Sequence, residues 1–522
     1  MQIRSLTTGD PLAASADLLV VPAGTPADRL DGAAAALDRA LGGLIAACVA
    51  DGEFDAKAGS STVLHTRGDA AAPRAVLVGT GEGGVEDWRD AGRAAGRTAG
   101  RLKARRVVLA AGGADAERVT ALVTGFGAGE HRDDRFRTGE AAGRPRVESL
   151  EVHADAASQR DVVRAARIAE AVAATRRLVD APGNALTPTA LAERARALAD
   201  GVEGLTCEVL DRDALEEMGA GALLGVARGS AEPPVMIVLR WSPPGAPGDG
   251  PVLGLVGKAV TFDTGGISIK PSNGMEEMKM DMAGGAAAVE GIGLIAASGV
   301  PLPVVAVVPA TENMPSGTAV KPGDVLRTMS GTTVEVTNTD AEGRLILADA
   351  LTYAHTRCGV THMVDFATLT GAIVVALGEV YAGLFGSDDA WTARVRAAGE
   401  RVGDLCWPMP MHPRYRPLIE STVADLSNSS PKRQAGAVYA AQFLREFTGG
   451  LPWCHVDVAG TAMPEGGSSG FGTALVLARG VIVRPAGPFG APAALRITIG
   501  LPSENDRLLA ALAETGAAAP PA

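Results

Sequence analysis

The eight residues Asn338-Thr339-Asp340-Ala341-Glu342-Gly343-Arg344-Leu345 set two carboxylates and a guanidinium at alternate positions, and the apolar run Leu345-Ile346-Leu347-Ala348-Asp349-Ala350-Leu351 follows at once. Such a run belongs in a core, so the fold must house charge beside buried apolar surface. An isolated charge in an apolar interior is too costly to persist, and buried carboxylates are therefore paired or metal-bound. In an extended segment residues i, i+2 and i+4 point the same way, which predicts that Asp340, Glu342 and Arg344 converge on one point. Two acids that close repel unless a cation sits between them. A solvated acidic loop is the bland alternative, and the apolar setting argues against it.

A second cluster lies upstream. The apolar run from Pro251 to Val256 reads as a buried strand, and it ends in Gly257-Lys258-Ala259-Val260-Thr261-Phe262-Asp263-Thr264-Gly265-Gly266. Lys258 and Asp263 thus leave a strand end together, followed by Lys270 in Ile267-Ser268-Ile269-Lys270-Pro271 and Asp281 in Met278-Lys279-Met280-Asp281-Met282. In open α/β sheets ligands bind beyond the carboxyl ends of the strands, where these loops fall. Singly, each residue is weak: a lysine after a strand is usually a solvated cap, and a Gly-Gly pair usually a turn.

Taken in order and at their intervals, the segments VGKAVTFDTGG, ISIKP, MKMDMAGG, TENMPSG, KPGDVL, NTDAEGRL and DFATLTGA resemble the leucyl aminopeptidase (cytosol aminopeptidase) family of two-metal exopeptidases. The resemblance runs from about Arg177 (RRLVDAPGNALTP) to about Thr473 (HVDVAGTA, then GFGTAL). It implies that Asp263 and Glu342 bridge two divalent ions, with Asp340 on one ion and Lys258 and Asp281 on the other. An ammonium cannot ligate, so Lys258 must be neutral there, and burial beside two cations pushes a lysine that way. Oxygen-rich ligation with one amine and no thiolate suits zinc or manganese and also admits magnesium or cobalt. Paired ions can activate water and polarise a carbonyl. The resemblance further implies that Lys270 stabilises the charge developing on the carbonyl oxygen, and that Arg344 holds a bicarbonate which relays a proton to the leaving amine.

By the same resemblance the first side chain of a short peptide lies against Met278, Thr368, Leu369, Gly371, Ala459 and Ala462. These are apolar or small, which argues for an uncharged N-terminal residue such as Leu or Met. One metal ion can take the free α-amine, so blocking that amine should abolish turnover. His455, in Trp453-Cys454-His455-Val456-Asp457, alternates like a strand residue and reads as structural. Homohexamers are the family habit. General peptide turnover and trimming of one particular peptide or amide in a specialised pathway both fit these residues.

Residues 1–165 alternate short apolar strands (17–21, 75–78 and 106–109) with Ala-rich helical stretches, an α/β pattern. The expected fold is two α/β domains: a smaller N-terminal one (1–165), a linker helix (166–180), and a larger catalytic domain (181–479) with a central mixed sheet flanked by helices. Residues 480–522 depart from the family. GVIVRP, LRITIG and the EN-x-R-LL-x-AL ending resemble the end of a histidinol-phosphate-type aminotransferase, where Arg496 would grip a carboxylate. Without a cofactor domain that function does not carry over, and the tail reads as a fusion or frameshift remnant.

A formal charge of -12, from 48 basic and 60 acidic residues, disfavours nonspecific binding to nucleic acid or anionic membranes. One exception is local. Arg89, Arg93, Arg97, Arg101 and Arg105 recur every four residues, a basic stripe drifting slowly round a helix; a solvated helix face is the favoured reading, and a DNA-binding reading would rest on this stripe. No apolar run approaches the ~20 residues of a membrane span, and the N-terminus has no long apolar stretch, so a cytoplasmic location is the expectation. Five widely spaced cysteines without a CxxC pair predict neither a disulfide framework nor a thiolate metal site.

Overall fold

The computed structural model describes residues 2–477 apart from 7–8, 27–29, 140–141, 143–144, 155–158, 246–249, 433, 465–468 and 474. The aminotransferase-like tail, Arg496 included, lies outside the described residues. Apolar strands separated by Ala-rich helices give two α/β sheets. The first has six strands in the spatial order Gln2–Leu6, Ser149–His153, Arg106–Ala110, Leu18–Ala23, Arg74–Gly79 and Ser61–His65. All its pairs are parallel except the last, an antiparallel edge. The three strands expected here from the sequence are its centre.

The larger sheet runs Cys406–Pro408, Ala382–Gly386, Trp453–Asp457, His362–Ala367, Leu253–Gly257, Val304–Asn313, Val235–Trp241 and Leu205–Leu210, and Ala259–Asp263 pairs with the far end of Val304–Asn313. It is mixed. Its central strands, from 453–457 through 304–313, are mutually parallel, and antiparallel pairs lie on either side of them. Leu253–Gly257 and Trp453–Asp457 are buried at every position because helices cover both faces. A helix at Gln159–Asp180 joins the two sheets and packs against helix Ala116–Glu130 of the first and helix Ala283–Ala297 of the second.

A glycine-lined contact fixes the geometry of the smaller half. Helix Val85–Leu102 crosses helix Ala116–Glu130 so closely that a Cβ on Gly92 would lie 2.2 Å from the Leu122 carbonyl oxygen. One helical stretch, Met275–Ala297, does reach membrane-spanning length, which the sequence pattern did not reveal because a 3-10 turn and an α-helix are joined end to end. Its most apolar window is 89% buried inside the protein, as expected of a core helix.

Candidate metal centre

Because the central strands run parallel, their carboxyl ends form one rim. Lys258 follows the strand Leu253–Gly257, Asp263 ends Ala259–Asp263, Asn313 ends Val304–Asn313, Thr368 follows His362–Ala367, and Asp457 ends Trp453–Asp457. Two further carboxylates reach the rim from helix starts: Asp281 lies two residues before helix Ala283–Ala297, and Glu342 immediately precedes helix Gly343–Arg357. The positive end of each helix dipole favours a carboxylate there.

Lys258 is buried at the centre. Its Nζ lies 2.8 Å from Asp281 Oδ1 and 2.7 Å from Glu342 Oε1, and it donates to the Thr368 carbonyl oxygen at 3.0 Å. Lys270 Nζ lies 2.8 Å from Asp263 Oδ2 and also pairs with Asp340 Oδ1. Carboxylate oxygens of Asp263, Asp340 and Glu342 come within 4.8 Å of one another. Asp263 Oδ1 accepts from the Gly265 N–H and from Asn313 Nδ2, each at 2.8 Å, and Asp281 Oδ1 accepts from Thr368 Oγ1 at 2.7 Å. Gly343 is required by this crowding, since a Cβ there would stand 2.7 Å from Lys258 Nζ.

Burial raises Asp263, Asp281 and Asp340 above the ordinary aspartate value, Asp281 well above it. For Lys258, burial pulls downward, but the Asp281, Glu342 and Asp263 carboxylates outweigh it and hold the group above the usual lysine value. Lys270 is raised in the same way, chiefly against Asp263. The two lysines pair with four carboxylates. They do not satisfy them: Asp281 Oδ2 and Glu342 Oε2 are buried without a hydrogen-bond partner. Oxygens with one amine, in excess over the available positive charge, fit divalent cations such as manganese or zinc.

Arg344 departs from the expected convergence. The chain turns at Thr339 and Asp340, Glu342 already has helical backbone angles and the helix starts at Gly343, so the alternation of an extended segment does not hold across these residues. Arg344 is anchored instead by Nη1 on the Asn428 carbonyl oxygen at 2.8 Å and lies over the Tyr439 ring, 5.2 Å from its centroid. Burial lowers its pKa, and its Nε has no partner.

Of the residues expected to line the substrate pocket, Thr368 touches the cluster directly, through both its carbonyl and its hydroxyl. Leu369 is half-buried beside it, and Gly371 opens the exposed helix Gly371–Leu377. Met278 is half-buried in the 3-10 turn Met275–Met280, three residues before Asp281. Ala459 is half-buried, while Ala462 is fully part of the core. His455 is structural as expected: Nδ1 pairs with Asp365 Oδ1 at 2.6 Å, and Trp453 Nε1 donates to the other oxygen of Asp365. Sequence reasoning passed over Asn313 and Asp457, whose only local signal was a polar residue at the end of an apolar strand.

The arginine stripe does not survive folding. Arg89 is buried, bonded to Glu86 at 2.9 Å and to Thr124 at 3.0 Å. Arg93 pairs with Glu86 and Asp90, and Arg105 with Glu148. Arg97 and Arg101 remain exposed.

Comparison with known proteins agrees with this geometry. Residues 173–482 match the catalytic domain of the cytosol aminopeptidase family, and residues 20–140 its N-terminal domain. The chain is 48% identical over 419 residues to a probable cytosol aminopeptidase of Solibacter usitatus, covering 79% of this chain and 86% of that one. To the probable cytosol aminopeptidase of Geobacter sulfurreducens it is 42% identical over 447 residues, covering 84% and 89%. Among solved structures, a tomato leucine aminopeptidase variant superposes with a TM-score of 0.82 at 33% identity, over 91% of this chain and 95% of that one. The bottromycin maturation enzyme BotP in complex with Mn gives 0.77 at 36%, over 89% and 98%.

Proposed function

Since this chain belongs to the cytosol aminopeptidase family, a family of metal-dependent exopeptidases that use two divalent ions, we propose that the rim cluster is its catalytic centre and that it removes uncharged N-terminal residues from short peptides. The observation that carries the assignment is the approach of Asp263, Asp340 and Glu342 to within 4.8 Å of one another, beside carboxylate oxygens that lack partners. Asp263 and Glu342 would be shared between the ions, Asp340 would belong to one, and Lys258 and Asp281 to the other. When bound, the ions supply Lewis acidity and lower the pKa of water.

The chain's own groups do the rest. Lys258 must release its proton to act as a ligand, and a nearby cation in place of its carboxylate partners favours that. Lys270 now spends its charge on Asp263 and Asp340. Once those oxygens are engaged elsewhere, its ammonium is free to stabilise negative charge on a carbonyl oxygen. Arg344 offers its unpartnered Nε to an anion such as bicarbonate. Met278, Thr368, Leu369, Gly371, Ala459 and Ala462 contribute no charged side chain to the pocket, which supports a neutral first residue.

We also assign a cytoplasmic location and a homohexamer, and divide the chain into an N-terminal domain (1–165), a linker helix (166–180), a catalytic domain (181–479) and a tail (480–522). A second reading, trimming of one peptide in a biosynthetic pathway, is supported by the likeness to the bottromycin maturation enzyme over 98% of that chain. The test is hydrolysis of a leucyl chromogenic amide by chelated protein with Mn²⁺ or Zn²⁺ restored, beside its N-blocked analogue. Turnover is expected only with metal and a free amine. Equal hydrolysis of the blocked amide would refute the exopeptidase reading, and activity confined to one longer peptide would select the specialised one.

A further inference from the structure

Asp457 has no part in the chemistry above, yet it gathers more donors than any ligand candidate. Its Oδ1 accepts from the N–H groups of Leu369 at 3.1 Å, Thr370 at 3.4 Å and Ala459 at 3.3 Å. Its Oδ2 accepts from Thr370 Oγ1 at 2.7 Å. The carboxylate is completely buried, and both of its oxygens are engaged, Oδ1 by three donors and Oδ2 by one. Three of the four come from the loop that joins the strand His362–Ala367 to the helix Gly371–Leu377. The adjacent residue of that loop, Thr368, faces the metal cluster: its carbonyl oxygen accepts from Lys258 Nζ at 3.0 Å, and its hydroxyl donates to Asp281 Oδ1 at 2.7 Å.

A single short loop is therefore clamped by Asp457 on one side and grips Lys258 and Asp281 on the other. The Asp263 side of the centre is held separately. Asn313 Nδ2 bonds both Asp263 Oδ1 and the Thr339 carbonyl oxygen, at 2.8 and 3.0 Å, and Thr339 Oγ1 bonds the Gly265 carbonyl oxygen. Neither of those supports passes through Asp457.

On the reading that Lys258 and Asp281 ligate one of two ions, we propose that Asp457 is the positioning residue for that half of the centre, acting through Thr368 and touching neither ion nor substrate. Outer partners of metal ligands orient the ligand atoms, and their removal weakens metal affinity by about 10- to 100-fold. Here the effect is one-sided. Loss of Asp457 loosens the Lys258–Asp281 ion and leaves the other in place, an asymmetry that a general loss of stability would not produce.

The test is calorimetric titration of chelated full-length protein with Mn²⁺ for wild type, Asp457→Ala, Asp457→Asn, Thr368→Val and the Asp457→Ala/Thr368→Val double variant, with circular dichroism as the folding control. Asp457→Ala should keep one ion at wild-type affinity and bind the other about tenfold more weakly or worse. Asp457→Asn retains an oxygen for the three N–H donors and should stay within a few-fold of wild type. Thr368→Val should weaken the same ion, and the double variant should be no worse than the weaker single one, because both act along one path.

A folded Asp457→Ala protein that binds both ions normally, or both equally weakly, would overturn the proposal. If that variant does not fold, Thr370→Val removes the Oδ2 bond and the N-cap bond from the Ile373 N–H, and leaves the three backbone donors of Oδ1 in place. A few-fold loss at one ion is then expected, and no loss overturns the idea. Wild-type protein that binds two Mn²⁺ but cleaves no peptide would refute the functional reading alone, whereas wild type that takes up no Mn²⁺ would refute both.

Discussion

The two sheets of this molecule are built alike and end differently. Among the described residues of the six-stranded sheet, the carboxyl ends of the parallel strands run into Gly24, Gly79-Thr80-Gly81, Ala111-Gly112-Gly113 and Ala154, small residues without charge. In the larger sheet the same ends carry Lys258, Asp263, Asn313, Thr368 and Asp457. Among the described residues of the smaller half, the side chains of Arg89, His131 and His153 are buried, and each lies beside a carboxylate. Layered α/β architecture thus supplies a rim and leaves its use open. What sets the rim of the larger sheet apart is the group of carboxylates placed there against the penalty of burying them.

The contrast breaks most sharply at Glu342. Replacing it with Ala removes an oxygen 2.7 Å from Lys258 Nζ and one of the three that approach within 4.8 Å. On the proposed role of Glu342 as a shared ligand, its loss should exceed the roughly 10²- to 10³-fold that removal of a single transition-state donor costs. Steady-state rates at saturating Mn²⁺ measure it, and a decline of less than about tenfold would take Glu342 out of the centre. Next comes Lys270→Ala, for which kcat should fall by roughly 10² to 10³ with KM little changed. A raised KM at constant kcat would instead assign Lys270 to substrate binding in the ground state.

How much of this was legible in the sequence depends on distance along the chain. Asp340 and Glu342 lie two residues apart, and the apolar context signalled that they meet, although they do so across a turn and not along an extended segment. Arg344 did not follow, because the helix begins at Gly343, and its N-cap residue, Glu342, is not one of the side chains that mark a helix start. The support of Asp263 by Asn313 arises from strand register across fifty residues, and Asp457 reaches the centre only because Ala367 is its partner across the parallel ladder. No local pattern encodes such a register. The arginine repeat shows the opposite failure: its period was plain, but the close helix crossing that buries Arg89 against Thr124 was not.

The two halves meet at Asp404, where a smaller effect is expected. Its carboxylate turns inward, with Oδ2 accepting from the Gly472 and Leu475 N–H groups at 3.0 and 3.2 Å. A Cβ on the preceding Gly403 would stand 2.8 Å from Arg89 Nε and from Glu86 Oε2 of the smaller half. Burial pushes Asp404 up to about 6, against roughly 3.9 in an unfolded chain. The folded protein therefore holds a proton that the unfolded chain releases between those values. This stabilising contribution is complete below about pH 4 and is lost as pH rises through about 6. Asp404→Asn keeps an acceptor for the two N–H groups and has no proton to lose. Relative to wild type it should gain up to about 3 kcal/mol between pH 4 and 7 in urea denaturation, and parallel pH profiles would mean that the carboxylate titrates normally.

The smallest effect belongs to the rim-free half. Arg97 and Arg101 are exposed on helix Val85–Leu102, where the other members of their repeat are paired or buried. Reversing both to Glu should move stability by no more than about 0.5 kcal/mol and leave peptide hydrolysis unchanged, because neither side chain lies near a ligand. The same pair sharpens the comparison through DNA. Two isolated cations on a chain of net charge -12 should retard no duplex in a gel at physiological salt. If wild-type protein did shift DNA, and the shift vanished both with added salt and with the double reversal, true phosphate contacts would be established. The smaller sheet would then be a second functional surface, and the difference between the halves would be one of chemistry instead of presence and absence.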